Sequence, residues 1–346
     1  CRLRRQRQMC IRDSFITGGT GLVGSHILLQ LCQKGERVLA LRRNSSTLEI
    51  CRRVFSQNSS IDLFKSIDWV NGDLNNIPML EKCISRCEYV IHAAALVSFH
   101  PEDKKKLVDI NINGTANVMN ISIDFGIKKC VYVSSIATLG RNSTDEIVDE
   151  NCNFKLSNLE SNYSISKYMA EQEVWRASNE GLDVIIVNPS VILGPGDWVK
   201  GSSRIFHSIY KGLRFFPPGK TGFVDVYDVS AIIVKLLFLK VSNERFILNG
   251  INTSYESVFN LIADNFNIKR PNIRVTPFLK EIGWRIEKFR SLILQRKSLI
   301  TKETAESGMR ESTFSSKKVE KLLNYKFRTL DDTVANYCKM YIKDLG

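Results

Sequence analysis

Tyr163 and Lys167 stand as Y-x-x-x-K at the head of a stretch whose pattern predicts a helix over Ser164–Asn179. Four-residue spacing puts both side chains on one helix face. A free phenol titrates near a pKa of about 10, too high to exchange protons readily at neutral pH. A neighbouring ammonium favours the phenolate and lowers that value, so the pair would make a usable acid/base. Ser135, just past an expected strand at Cys130–Val133, adds a hydroxyl that can hydrogen-bond a substrate oxygen. Alone, a Tyr and a Lys at this spacing are commonplace on helices that do no chemistry. Their meaning depends on what stands beside them.

Thr17–Gly24 reads T-G-G-T-G-L-V-G, with Gly18, Gly21 and Gly24 in G-x-x-G-x-x-G spacing. The turn lies between an expected strand (Cys10–Thr17) and an expected helix (Ser25–Lys34), and Thr17, Leu22 and Val23 complete it. Such a turn lets backbone approach a pyrophosphate, and the helix that follows presents free N–H groups and the positive end of its dipole. The residue type at the end of the second strand then separates the cofactors. An acid accepts hydrogen bonds from the adenosine ribose, whereas an arginine pairs with a 2′-phosphate. Arg42 and Arg43 follow the strand expected at Arg37–Leu41, and no Asp or Glu occurs over 39–47. The expectation is NADP(H) in preference to NAD(H).

Strand and helix patterns keep alternating. Strands are expected at Asp68–Val70, Tyr89–Ala93 and Val184–Val187, and helices at Met79–Cys87 and Asp109–Phe125. The strands are nearly continuous apolar runs, which predicts an α/β fold: a Rossmann-type, doubly wound parallel sheet with helices on both faces. Glycine and proline crowd the segment 194–222, marking turns over a site, and the chain beyond Asn252 reads as mostly helical. The expected organisation is a dinucleotide-binding domain over 15–194, with 221–250 returning to it. Segments 195–220 and 251–346 would form a smaller, mostly helical C-terminal substrate region.

Taken in this order and spacing, the glycine turn, Ser134-Ser135 and Y-x-x-x-K resemble the extended short-chain dehydrogenase/reductase superfamily, that is, the NAD-dependent epimerase/dehydratase family. The resemblance covers 15–250 and is fainter beyond. It implies that Asp73 and Leu74 flank the adenine, and that His92, Ala93, Ala94 and Ala95 line the cofactor. By the same resemblance Asn111, the first Asn of N-x-x-G-T, holds the site together, and Pro189, Ser190 and Val191 pass the nicotinamide. It further implies hydride transfer with Tyr163 as proton donor, Lys167 as its activator and Ser135 as the group polarising the carbonyl. Val191 falls where nucleotide-sugar enzymes usually carry an Asn. The pattern is therefore closer to dihydroflavonol-reductase-like and 3-beta-hydroxysteroid-dehydrogenase-like members, which act on carbonyls or alcohols of apolar bodies. Val97, Trp198, Phe215 and Phe216 are the candidate substrate contacts, although aromatic residues there serve equally well as core.

The function expected is therefore an NADP(H)-dependent oxidoreductase acting on a small, largely apolar carbonyl or alcohol. The alternatives are a nucleotide-sugar epimerase or dehydratase with retained NAD, and a non-catalytic NADP-binding sensor or scaffold. Hydrophobic residues make up 43% of the 346 and charged residues 25%, which excludes a disordered or collagen-like chain. The net charge of +13 raises anionic partners, but no pattern of a nucleic-acid module is present. Cys83 and Cys87 are wrongly spaced for a metal knuckle, and no metal site is expected. The nine cysteines read as free thiols in a reducing cytoplasm. Residues 1–14 carry five arginines and read as a basic arm or a non-native remnant, outside the fold. Segment 269–302 holds ten basic and two acidic residues. Within it Leu279, Ile282, Ile286, Phe289 and Ile293 form an apolar stripe. A basic helix of this kind either packs its stripe on the domain or makes weak contact with a membrane surface through 279–297. A homodimer is implied by the resemblance.

Overall fold

Apolar residues on alternating sides of short strands force the chain into three layers. A computed structural model describes residues 13–140, 147–155, 160–293 and 301–345. Strands β1 (Asp13–Thr17), β2 (Arg37–Arg42), β3 (Asp68–Asn71), β4 (Tyr89–His92), β5 (Lys129–Val133) and β6 (Val184–Pro189) follow in chain order. They continue with β7 (Val191–Leu193), β8 (Lys220–Asp225), β9 (Glu244–Leu248) and β10 (Ile251–Ser254). Seven of them form one sheet in the spatial order β9-β6-β5-β4-β1-β2-β3. Every pairing within it is parallel. The strand order reverses between β1 and β4, which opens a crevice at their carboxyl ends, the place where ligands bind in such sheets.

Successive residues of β1 serve opposite faces. Ile16 joins the core under helix α1 (Leu22–Gln33) and the helix Val226–Phe238. Phe15 joins the core under the helix Gly114–Asp124 and helix α2 (Asn162–Asn179). The boundary expected at residue 15 moves to Asp13, because Asp13 and Ser14 pair with Arg37 and Val38 of β2. Residues 1–12 of the basic arm lie outside the described residues. The single helix expected over Asp109–Phe125 is interrupted. Val108–Asn113 forms a wide π turn before the α-helix Gly114–Asp124, and such widenings often sit at functional sites.

Beyond Asn252 the described residues are mostly helical, as expected, while the segment before it adds further strands. β8 belongs to a second sheet, β10-β8-β7, while β9 returns to the edge of the main sheet. Beyond it lie the helices Tyr255–Asn265, Lys317–Leu323 and Leu330–Leu345, together with α3 (Pro277–Ile293). Asp225, buried at the end of β8, ties this region down. Its carboxylate accepts from the Tyr227 backbone N–H (2.7 Å), the Thr333 hydroxyl (2.8 Å) and the Tyr337 hydroxyl (2.6 Å). Removing it would leave two buried hydroxyls of Leu330–Leu345 without an acceptor. Asp225→Ala is expected to cost about 3 kcal/mol in urea unfolding, the scale of a broken buried network. A loss below about 1 kcal/mol would show that the C-terminal helix is held by its apolar contacts alone.

Candidate active site

The glycine turn sits at the crevice, directly after β1. Gly18 has φ +76°, and a Cβ there would lie 2.7 Å from the Ala93 and Ala94 backbone. A Cβ on Gly24 would fall 2.1 Å from the Gly18 carbonyl oxygen, so this glycine lets α1 approach the turn. Gly21 caps α1 with backbone alone and is exposed, which leaves the first N–H groups of the helix without a side-chain partner. Arg42 and Arg43 end β2 beside the crevice. Arg42 donates to Asn71 (2.8 Å), and Arg43 is exposed with no described ion pair. Asp73 is exposed and receives the Asn75 N–H, whereas Leu74 is buried against Gly114. In the P-S-V segment, the Ser190 hydroxyl is buried and unpartnered among the described residues. A tight turn, an uncapped helix start, the exposed Arg43 and an orphan hydroxyl fit a dinucleotide.

A chain of buried hydrogen bonds runs from that turn to α2. Thr17 Oγ1 lies 2.6 Å from His92 Nδ1 and accepts from the Ala94 N–H (3.2 Å). His92 Nε2 lies 3.0 Å from Thr115 Oγ1, which donates its own proton to the Asn111 carbonyl (2.5 Å). The Nε2 proton is therefore on the imidazole, and Nδ1 accepts from Thr17. Burial, helped by the Lys167 charge, lowers the His92 pKa to about 3, so the ring stays neutral. Asn111, inside the π turn, clasps the Leu96 backbone through both amide atoms (2.7 and 3.0 Å) and donates to Ser166 on α2 (2.9 Å).

Tyr163 and Ser135 come together: the Ser135 side chain lies close enough to the phenol to oppose the rise of its pKa. Ser135 Oγ also receives the Ala137 N–H (3.1 Å), which sets its rotamer. Phe99 packs edge-on against the Tyr163 ring (5.4 Å). Lys167 goes elsewhere. Its ammonium donates to the Tyr132 hydroxyl (2.6 Å) and the Val133 carbonyl (2.8 Å). The expectation that Lys167 depresses the Tyr163 pKa is therefore corrected for this state. Burial pushes the phenol up, and only Ser135 opposes it. Burial lowers Lys167 to about 7, with Glu171 pulling the other way.

Glu171 and Tyr132 were missed by motif reading. Glu171, buried, accepts from Ser134 (2.6 Å), Thr138 (2.8 Å) and Asn188 (3.0 Å), and pairs with Arg245 (3.2 Å). Its signal in the sequence is spacing: it stands four residues after Lys167, on the same face of α2. Tyr132 has no such signal, because a strand tyrosine one residue from the core reads as packing.

The candidate substrate residues divide. Val97 (59% exposed) and Phe215 (47%) are open to solvent. Trp198 packs edge-on against Phe206 and Tyr341 and donates to Asp344 (2.7 Å), and Phe216 is buried in the same core. These two residues fill the C-terminal core. Among the described residues no cluster of His, Cys, Asp or Glu could hold a metal ion.

A family model described as the NAD dependent epimerase/dehydratase family matches residues 14–245. The chain belongs to that family, and it is an NAD(P)-dependent oxidoreductase of the extended short-chain dehydrogenase/reductase type. It is 36% identical over 221 residues to a Synechocystis protein named "Putative dihydroflavonol 4-reductase", a match spanning 63% of this chain and 60% of that one. It is 26% identical over 272 residues to the Methylococcus capsulatus sterol demethylase protein B, covering 78% of this chain and 79% of that protein. Among solved structures, gox2253 superposes with a TM-score of 0.78 at 26% identity, covering 97% of this chain and 99% of the other. The UDP-glucose 4-epimerase of Bifidobacterium longum, solved with NAD+ and UDP, shares the fold at 16% identity (TM-score 0.75; 96% and 99% covered).

A lysine whose folded pKa is depressed binds fewer protons folded than unfolded between the two values, so stability rises with pH there. For Lys167 that window opens at about 7 and extends toward the unfolded value. Urea stability of the cofactor-free protein should rise through pH 7–9 by up to about 1.4 kcal/mol per unit from this group. Lys167→Met should remove that part of the slope. Identical slopes for both proteins would show that the ammonium is not desolvated.

Proposed function

We propose that the protein is an NADPH-dependent reductase of a carbonyl on a small, largely apolar molecule. The observation that carries this reading is the juxtaposition of the Tyr163 phenol on α2 with Ser135 just past β5. The dinucleotide, when bound, supplies the hydride. Ser135 donates to the substrate oxygen and concentrates the developing negative charge there. Tyr163 delivers the proton to that oxygen. Lys167, held by Tyr132 and Val133, would meet the ribose side of the cofactor. Gly18, Gly21, Leu22, Val23 and Gly24 receive the pyrophosphate, and Ala93, Ala94 and Ala95 leave room for it. Val97 and Phe215 are the two candidate contacts exposed enough to meet substrate. The free cysteines among the described residues support a reducing, cytoplasmic setting.

The cofactor preference rests on charge. Arg42 and Arg43 would meet the 2′-phosphate, and no carboxylate at the end of β2 competes for a ribose hydroxyl. Calorimetric titration is expected to give at least about tenfold tighter binding of NADPH than of NADH, a difference worth about 1.4 kcal/mol. Arg42→Ala/Arg43→Ala should collapse that ratio toward one. Equal affinities in the parent protein would return the reading to NAD, and NAD that copurifies would favour the nucleotide-sugar epimerase alternative.

Tyr163→Phe is expected to keep NADPH-induced thermal stabilisation while turnover on a carbonyl panel falls by more than about tenfold, the usual weight of acid catalysis. Undiminished turnover would remove Tyr163 from the proton path. A parent protein that binds NADPH but reduces nothing on the panel would support a sensor or scaffold instead.

A further inference from the structure

Helix α3 (Pro277–Ile293) is turned the wrong way for a helix that belongs only to a folded core. Phe278 (72% exposed) and Ile286 (61%) face solvent, and Leu279 and Ile282 (37% each) stand between them, partly covered. Residues 278, 282 and 286 recur every four positions, and 279, 282 and 286 at three and four, so they form one continuous stripe. The protein side of the helix holds Glu287, which is 8% exposed, with Lys280 and Trp284 partly covered. The side chains of Phe289 and Ile293, which continue the stripe in sequence, lie outside the described residues. Of the five residues of the expected stripe, Ile286 is open to solvent and Leu279 and Ile282 are partly covered.

The charge around the stripe says what would cover it. Segment 269–302 carries ten basic residues against two acidic ones. Lys269, Arg270 and Arg274 are exposed just before the helix, and Arg285 is exposed beside the stripe. Arg270 and Arg285 pair with Asp264 and Glu281, and Glu287 is buried, so little exposed acid remains to balance the others. An outward apolar stripe flanked by lysine and arginine matches a surface that is apolar beneath and anionic above. No helix among the described residues is long and apolar enough to cross a bilayer, so contact would be at the interface.

We propose that α3 docks the protein on an anionic membrane surface, inserting Phe278, Leu279, Ile282 and Ile286 among the lipid chains while the basic residues around it contact the headgroups. The helix borders the candidate site. It packs on the helix Lys302–Ser307, whose Glu303 accepts from Asn162 at the start of α2 (3.1 Å). Docking would therefore hold the crevice side of the protein near the bilayer. The proposal does not depend on which cofactor or substrate the site takes.

The test is co-sedimentation of the full chain with vesicles of phosphatidylcholine plus phosphatidylglycerol, and with phosphatidylcholine alone. Binding is expected to the mixed vesicles only, and raising the salt should release the protein. Phe278→Ser/Ile286→Ser should weaken vesicle binding by more than about tenfold through lost apolar insertion, with NADPH-induced thermal stabilisation unchanged as the check on folding. Failure of the parent protein to bind mixed vesicles would overturn the proposal, as would equal binding by the double variant. A dimer in solution that the double variant converts to monomer, without vesicle binding, would instead show that a second copy of the chain covers the stripe.

Discussion

One buried carboxylate organises the centre of this protein. Glu171 on α2 is reached by Ser134 after β5, by Thr138 in the turn that follows, by Asn188 on β6 and by Arg245 on β9. A carboxylate and a guanidinium taken out of water cost several kcal/mol each unless every remaining lone pair is satisfied. Here the carboxylate is satisfied only when α2 and the ends of three neighbouring strands are all in register. The ion pair therefore contributes less to net stability than to uniqueness: it makes any shift of α2 along the sheet expensive. Because Tyr163, Ser166 and Lys167 ride on that helix, their positions are inherited from it.

A second set of constraints divides the protons. Two titratable side chains on adjacent turns of α2 are pushed in opposite directions by the same burial. The Tyr163 phenol goes up and the Lys167 ammonium comes down. Desolvation always favours the neutral form, so a phenol keeps its proton while an amine gives its own up. The amine's remaining charge is spent on Tyr132 and Val133, and the Tyr132 ring packs on His92 (5.5 Å), which is bonded in turn to Thr115 and to Thr17 of the glycine turn. Site and turn are thus parts of one buried interior, and fixed positions of this kind are the condition for electrostatic catalysis.

The C-terminal half is held by different means. Asp225 at the end of β8 gathers Tyr227, Thr333 and Tyr337. Trp198, Phe206 and Tyr341 fill the space between helices Arg204–Tyr210 and Leu330–Leu345. No residue of α3 belongs to this core, and Phe278 and Ile286 on that helix are exposed.

Much of the fold, and the glycine turn at its crevice, was legible in the residues alone. Gly18, Gly21 and Gly24, the arginines after β2 and the Tyr163–Lys167 spacing are local features. A turn's φ requirement, a strand's end and a helix's periodicity are decided within a few residues. The parallel sheet followed from apolar runs for the same reason. The partner chosen by Lys167, the convergence of four segments on Glu171, the burial of Trp198 and Phe216, and the outward turn of α3 were settled only by the tertiary structure. Each depends on which distant side chain competes for the same buried space or the same proton. Tyr132 stands 35 positions from Lys167 and Arg245 stands 74 from Glu171, and no periodicity along the chain records which of them will meet.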